Sequence, residues 1–201
     1  PYYFYDFQGK INLDLSHRHR LTFSGFYGDD VLDFSSEAED EDELDVDLDW
    51  VWGNRTTSLN WRYIIRPDLF AETLLSHSRF KNRLSAVVSS SGSANLALNN
   101  EIDDYSARTD FNYFGLSGHT IKLGGAYSDL DFTYGISIND YQLFSYSSRP
   151  ALFALYAQDH WQLYPRLMLK AGARAEHYSL GDRWFLSPRL GVQYQLTSNL
   201  A

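Results

Sequence analysis

Polar and apolar residues alternate without interruption over residues 3–15, the clearest pattern in the chain. One set of positions is aromatic, aliphatic or glycine: Tyr3, Tyr5, Phe7, Gly9, Ile11, Leu13 and Leu15. The intervening positions are polar: Asp6, Gln8, Lys10, Asn12 and Asp14. Because successive side chains of a strand point to opposite faces, this period of two predicts a β-strand with one apolar face. The strand is about twice as long as most strands of soluble sheets.

Eight further segments carry strand patterns, and Asn199 begins another. They are residues 20–28, 44–63, 69–77, 102–114, 119–127, 152–163, 167–177 and 186–196. In segment 44–63 the apolar residues occupy even positions up to Trp52 and odd positions from Leu59. A slip of one residue turns every later side chain to the other face, so this change of phase predicts a β-bulge near Gly53 and Asn54.

Five short turns separate pairs of these strands, at residues 16–19, 65–68, 115–118, 164–166 and 197–199. The first four are spaced roughly 50 residues apart, which places every short turn at one edge of the sheet. A soluble β-sandwich also produces alternating strands, but it has no reason to sort its connections in this way. An outer-membrane barrel does sort them, with short turns on the periplasmic side and longer loops on the outer side. The pattern therefore predicts an all-β, antiparallel transmembrane β-barrel segment of nine to ten long strands with short periplasmic turns and long outer loops.

The net charge of −9 comes from one region of the chain. Residues 29–49 hold 12 of the 26 acidic residues and no Lys or Arg, whereas the remainder carries 17 basic and 14 acidic residues. This region is expected to be an exposed, poorly packed loop whose far end re-enters the sheet from Leu44. Asp45, Asp47 and Asp49 would then form a row on the lumen side and are weak candidates for a divalent-cation site. A solvated loop without a metal is the favoured interpretation.

Aromatic residues make up 16% of the chain, and no run of apolar residues is long enough for a spanning helix. Many of the rings fall near predicted strand ends, as in the aromatic girdles at both surfaces of a membrane barrel. The candidate membrane-interface residues are Tyr3, Tyr5, Trp50, Trp52, Trp61, Trp161, Tyr164 and Trp184.

Catalytic and metal-binding motifs are missing from the sequence. There is no cysteine and no Gly-x-Ser-x-Gly element, and the six histidines lack the spacing of a metal site. We therefore expect no enzyme activity, no cofactor and no nucleic-acid partner.

Several segments resemble the barrel of TonB-dependent outer-membrane receptors. The most specific are Tyr-Ala-Gln-Asp-His-Trp at residues 156–161 and Ser-Pro-Arg-Leu-Gly at residues 187–191, and segments 5–11, 19–28, 52–61 and 172–178 are similar in a more general way. Barrels of this family have about 22 strands around a plug domain. The resemblance implies that residues 1–201 are a partial barrel domain, without the plug, the coupling box or a signal peptide.

The resemblance also implies a function and a set of partners. The chain would form wall and outer loops of an energy-coupled importer in the outer membrane of a Gram-negative bacterium, taking up a ferric siderophore, cobalamin or an oligosaccharide. Expected partners are membrane lipid and lipopolysaccharide, the plug domain, the energising protein TonB and the small nutrient. The alternative is a passive porin-like or purely structural barrel. An upstream plug and coupling box would distinguish the two.

Overall fold

The computed structural model describes residues 1–36, 45–89 and 93–196, and ten β-strands account for most of them. The strands are β1 (Tyr2–Ser16), β2 (His19–Ser36), β3 (Asp45–Arg66), β4 (Leu69–Ser89), β5 (Ser93–Tyr113), β6 (His119–Ile138), β7 (Tyr141–Ser148), β8 (Ala151–Tyr164), β9 (Leu167–Tyr178) and β10 (Arg183–Tyr194). No helix within these ranges is long and apolar enough to cross a membrane.

All ten strands belong to one antiparallel sheet. Nine of them follow the order β1-β2-β3-β4-β5-β6-β8-β9-β10, and β7 folds back on β6 as a hairpin. The nine strands predicted from the sequence are confirmed as these nine, whereas β7 was not predicted. Asn139 and Asp140 form its turn with φ of 49° and 64°, as a two-residue type I′ hairpin requires.

The short turns lie at one edge of the sheet, which we call the turn edge; the opposite edge is the far edge. The connections at residues 17–18, 67–68, 114–118 and 165–166 all fall there, because they lead into β2, β4, β6 and β9, which run in the same direction in the antiparallel sheet. Backbone hydrogen bonds tie neighbouring turns to the sheet, for example from Ile64 N to Arg18 O at 2.8 Å. The arrangement of the first four predicted turns is confirmed, and the fifth, residues 197–199, lies outside the described residues.

Toward the far edge the strands continue well beyond their predicted ends. The sequence pattern ended β2 at residue 28 and β4 at residue 77, but these strands run to Ser36 and Ser89. The expectation of a loop from Asp29 is therefore wrong for residues 29–36, which are strand; residues 37–44 lie outside the described residues. Re-entry into the sheet is confirmed from Asp45 onward.

The sheet has no second layer among the described residues. Ala154 is the one buried hydrophobic residue there, and large apolar side chains such as Ile11 stay exposed, with 57% of its surface accessible. We call the face that carries Ile11, Phe23 and Leu59 the outer face and the opposite face the inner face. A β-sandwich would bury the outer face against another sheet. The sandwich alternative is therefore excluded for the described part of the chain.

The prediction of a β-bulge near Gly53 and Asn54 is wrong. Both pairings of β3 run through these residues without a shift, and the irregularities lie next to the turns instead, for example between Ile64 and Arg66. What changes along β3 is the polarity of each face. Its outer face is apolar at Leu59 and Trp61 and acidic from Asp49 to Asp45, while its inner face changes from polar to apolar.

Candidate functional site on the inner face

The predicted membrane-interface aromatics divide between the two edges and the two faces. Trp61 and Trp161 lie on the outer face toward the turn edge, and Tyr164 ends β8 at that edge. Tyr3, Tyr5 and Trp184 lie on the outer face of strand ends at the far edge. These six positions fit two girdles, and their contact with headgroups remains a prediction.

Histidine rings accompany the outer-face aromatics, which the sequence analysis did not anticipate. His19 stacks on Tyr63 with ring centroids 4.4 Å apart, and His119 stacks on Trp161 at 5.2 Å. Nearer the far edge, His77 stacks on Tyr105 at 4.3 Å. Each of these pairs is formed across two neighbouring strands. The histidines therefore extend the aromatic surface of the wall, and their spacing along the chain did not indicate this role.

Trp50 and Trp52 do not belong to the aromatic residues of the outer face. Because the register of β3 is unbroken, both side chains project from the inner face, opposite to Leu59 and Trp61. Trp52 stacks on Tyr2 with centroids 6.3 Å apart, and Trp50 lies 4.6 Å from Trp52. Their assignment to the membrane interface is corrected accordingly. They form an aromatic cluster on the inner face near the far edge.

The predicted face is also wrong for three acidic residues, Asp45, Asp47 and Asp49. They project from the outer face of β3 rather than into the lumen, and Asp49 lies directly opposite Asp33 of β2. Among the described residues, no three or more His, Asp or Glu side chains are grouped so that they could hold a metal ion. The row of carboxylates thus faces outward, beyond the apolar part of the wall.

One row of the inner face carries ionic or polar side chains on most strands, and we call it the inner charged row. From β1 to β9 it consists of Asp14, Arg20, Arg62, Glu72, Asp110, Gly124, Tyr156 and Arg174, each directly opposite the next. Arg20 Nε lies 2.6 Å from Asp14 Oδ1, and Arg62 lies 3.9 Å from Glu72. Opposite charges facing each other across strands stabilise the sheet. The sequence showed only polar alternation here, because the members lie far apart along the chain.

Asp110 is the most buried member of this row, with 2% of its surface exposed. The Tyr156 hydroxyl donates to its Oδ1 at 2.5 Å, and Arg108 Nε and Lys122 Nζ lie 3.2 Å from its Oδ2. The missing side chain of Gly124 makes this possible, because a Cβ there would come within 2.6 Å of Asp110 Oδ1. Asp110 is thus a buried carboxylate held by two cationic groups and one tyrosine hydroxyl.

Basic side chains surround this carboxylate and line a concavity of about 430 Å³ on the inner face. The cationic ones are Arg108, Lys122, Lys170, Arg174 and Arg189. The nearby carboxylates are Asp110 and Glu176, the latter 2.9 Å from Arg174, so positive charge is in excess. The concavity can therefore accept an anionic group from a molecule or domain inside the wall.

Comparison with known proteins identifies the architecture. A family model described as TonB dependent receptor-like, beta-barrel, matches residues 2–201. No curated protein matches the chain.

Solved structures share the fold at low sequence identity. Pseudomonas aeruginosa FpvA, bound to a heterologous pyoverdine and iron, is 14% identical with a TM-score of 0.73, and the match covers 98% of this chain and 34% of FpvA. The siderophore receptor PiuA from Acinetobacter baumannii is 11% identical with a TM-score of 0.70, covering 98% and 40%. The ferric yersiniabactin uptake receptor FyuA from Yersinia pestis is 13% identical with a TM-score of 0.63, covering 98% and 36%.

The chain thus spans about a third of the length of FpvA. Its open sheet, with β1 and β10 each paired on one side within the described residues, corresponds to an arc of such a wall. The match over nearly all of its residues shows that this chain belongs to the TonB-dependent receptor-like β-barrel family.

Proposed function

We propose that residues 1–201 form part of the wall of an outer-membrane receptor in a Gram-negative bacterium, and that this receptor imports a scarce nutrient with energy supplied through TonB. The observation that carries the proposal is the family match over residues 2–201. In this role the outer face contacts lipid and the inner face lines the transport path. The chain acts as a transporter wall and performs no catalysis.

The part of the inner charged row on β1–β5, from Asp14 to Asp110, suits contact with a plug domain, whereas Arg174 of the same row lines the concavity considered below for the ligand. The row lies in the half of the strands next to the turn edge, and its central carboxylate, Asp110, is buried among cations rather than exposed to a wide channel. A plug supplied by another part of the receptor would place polar and acidic groups against this wall. A passive pore has no need of such a docking surface.

The substrate is one of the nutrients too large for porins, and an anionic ferric siderophore fits the inner face better than cobalamin or an oligosaccharide. The concavity at Arg174 and Arg189 has an excess of positive charge, which attracts an anionic chelate. Trp50, Trp52 and Tyr2 near the far edge offer ring surfaces to a ligand that enters from outside. The names of FpvA, PiuA and FyuA point to the same class of ligand.

The test is uptake of a radiolabelled ferric siderophore by cells that carry this protein as their single receptor for it. Uptake is expected in cells with TonB and is expected to be lost in cells without it. Uptake that persists without TonB would show passive diffusion and contradict the proposal. Labelled cobalamin and an oligosaccharide, tested in parallel, distinguish the three substrate classes.

A variant addresses the inner face directly. Arg174→Gln with Arg189→Gln removes two positive charges from the concavity, and we expect uptake to be half-maximal only at about tenfold higher concentrations of an anionic siderophore. Lys substitutions at both positions keep the charge and serve as the matched control. The amount of folded receptor is checked for each variant by its heat-modifiable mobility on a gel.

A further inference from the structure

Asp110 lies beside the cationic concavity of the inner face and contacts two of the cations that line it. Its Oδ2 is 3.2 Å from Arg108 Nε and 3.2 Å from Lys122 Nζ. Asp110 is 2% exposed, whereas the side chains of Arg108 and Lys122 are 51% and 30% exposed. The carboxylate is therefore inaccessible to a ligand, while both of the cations that it holds are accessible.

A third cation of the concavity is connected to Asp110 through Tyr156. The Tyr156 hydroxyl donates to Asp110 Oδ1, and the Arg174 guanidinium lies over the Tyr156 ring, 5.3 Å from its centroid. Such a guanidinium is attracted by the π electrons of the ring. Glu176 also holds Arg174, at 2.9 Å. Asp110 thus orients three of the five cations that line the concavity, two of them directly and one through a tyrosine.

The two directly held cations would separate without this carboxylate. Arg108 Nε and Lys122 Nζ contact the same oxygen, so two positive charges are close together. Like charges at short distance repel each other, and flexible arginine and lysine side chains have many rotamers that reach solvent. Within the described ranges, Asp110 is the carboxylate with which each of them forms an ion pair. Its charge therefore keeps the two cations together.

The floor of the concavity leaves room for a ligand group among these cations. Two inner-face positions that line it are glycines, Gly172 of β9 and Gly191 of β10, and Lys170 lies directly opposite Gly191. Backbone rather than side chains forms the surface at these two points. Hydrogen bonds from cations to anionic oxygens are about twice as strong as neutral ones. A ligand group with several anionic oxygens can contact more than one cation at once, provided that the cations stay together.

We propose that Asp110 is a positioning residue for an anionic ligand in this concavity. It does not touch the ligand, but it keeps Arg108, Lys122 and Arg174 together where the anionic oxygens of a chelate bind. Cations that are already ordered lose less side-chain entropy on binding, which increases affinity. A negative charge thereby strengthens the binding of an anion, which is the reverse of the effect of its own electrostatic field. The inference rests on the proposed function, in which the nutrient is an anionic chelate.

The experiment measures the binding of two iron chelates to the receptor purified from outer membranes in detergent, by equilibrium dialysis with radiolabelled iron. Ferric citrate is the anionic probe, and ferric tris(acetohydroxamate) is the neutral probe. Asp110→Asn keeps the size of the side chain and an acceptor for the Tyr156 hydroxyl but removes the charge that holds the cations. It is expected to weaken ferric citrate binding about tenfold, because two side chains lose their order, and to leave binding of the neutral chelate unchanged.

The matched control is Asp104→Asn, which removes one negative charge from the same face of the same strand. Asp104 accepts a hydrogen bond from the Ser106 hydroxyl at 2.6 Å and does not line the concavity. Binding of both chelates to this variant is expected to be unchanged. Unchanged or stronger ferric citrate binding by Asp110→Asn would overturn the inference. An equal loss for both chelates would also overturn it, because a merely structural role lowers both.

A second variant, Tyr156→Phe, keeps every charge and removes the hydroxyl that connects the ring to Asp110. It is expected to weaken ferric citrate binding a few-fold, as for the loss of one hydrogen bond. Heat-modifiable mobility on a gel shows whether each variant is folded. If Asp110→Asn is not folded, unchanged ferric citrate binding by Tyr156→Phe overturns the inference. TonB-dependent uptake is measured separately: if it is present while Asp110→Asn binds ferric citrate as wild type does, this inference fails and the proposed function does not.

Discussion

Gly53 shows how one residue is constrained by its neighbours on the outer face. The Asp29 carboxylate lies over it, held there by hydrogen bonds from the Tyr27 hydroxyl at 2.7 Å and the Tyr5 hydroxyl at 2.8 Å. A Cβ at position 53 would come within 2.9 Å of Asp29 Cγ and would also clash with the backbone carbonyl of Gly28. A glycine is needed here because three strands bring polar groups to one point, and not because of a turn.

Gly53→Ala is therefore expected to destabilise the protein, by about 1–3 kcal/mol as in other overpacked sites. Gly9→Ala is the matched control, because Gly9 also lies in a long strand and a Cβ there meets nothing within 4 Å. Urea unfolding of the two variants in lipid vesicles measures the difference. Equal midpoints for both variants would show that Asp29 moves aside at no cost.

At the scale of the element, β3 shows that the polarity of each face can change along a strand while the pairing register stays unbroken. Its 22 residues pair with both neighbours without interruption at Gly53, yet the apolar residues move from one face to the other. The physical reason is a change of surroundings along a strand longer than the membrane is thick. In the hydrocarbon the outer face must be apolar, and beyond it the outer face meets water, so Asp45, Asp47 and Asp49 are accommodated there.

This position leads to a prediction for the acidic row. The three carboxylates stand about 6–7 Å apart along an exposed strand face, too far apart for one cation to bind them all closely. Millimolar calcium is expected to leave the melting temperature unchanged, both in wild type and in the triple variant with Asn at positions 45, 47 and 49. A rise in wild type that the triple variant lacks would establish a cation site.

At the scale of the whole molecule, the sheet has two edges that a membrane would place on opposite sides. The turn edge holds the short connections, and the strands extend at the far edge to residues such as Ser36 and Ser89. Hydrogen bonds between neighbouring turns hold the first edge together, as between Phe114 N and Asp68 O at 2.8 Å. In a barrel of this family the turn edge faces the periplasm.

Labelling with a membrane-impermeant maleimide tests this orientation. Residues 1–201 contain no cysteine, so an introduced cysteine is the single thiol within them, and labelling of the unsubstituted protein gives the background. Ser36→Cys and Ser89→Cys are expected to react in intact cells, and Ser16→Cys, at the turn edge, only after lysis. The reverse pattern would contradict the orientation on which the proposed function depends.

The sequence by itself determined the class of fold, nine of the ten strands and the edge where the short turns lie. Alternation over residues 3–15 and recurrent turns such as 65–68 are local signals, because each depends on a few neighbouring residues. The pattern identified strands reliably where lipid and lumen impose opposite polarity on the two faces. It ended β2 and β4 too early, since that contrast changes beyond the hydrocarbon.

Only the tertiary structure decided which residues meet and which face they occupy. Alternation with a period of two shows which residues share a face but not whether that face points inward or outward. The sequence therefore did not show that Trp50 and Trp52 point inward and Asp45 outward. The inner charged row joins residues from different strands, and strand pairing alone brings them together. Register is set by the hydrogen bonds between neighbouring strands, and those partners are remote in the chain.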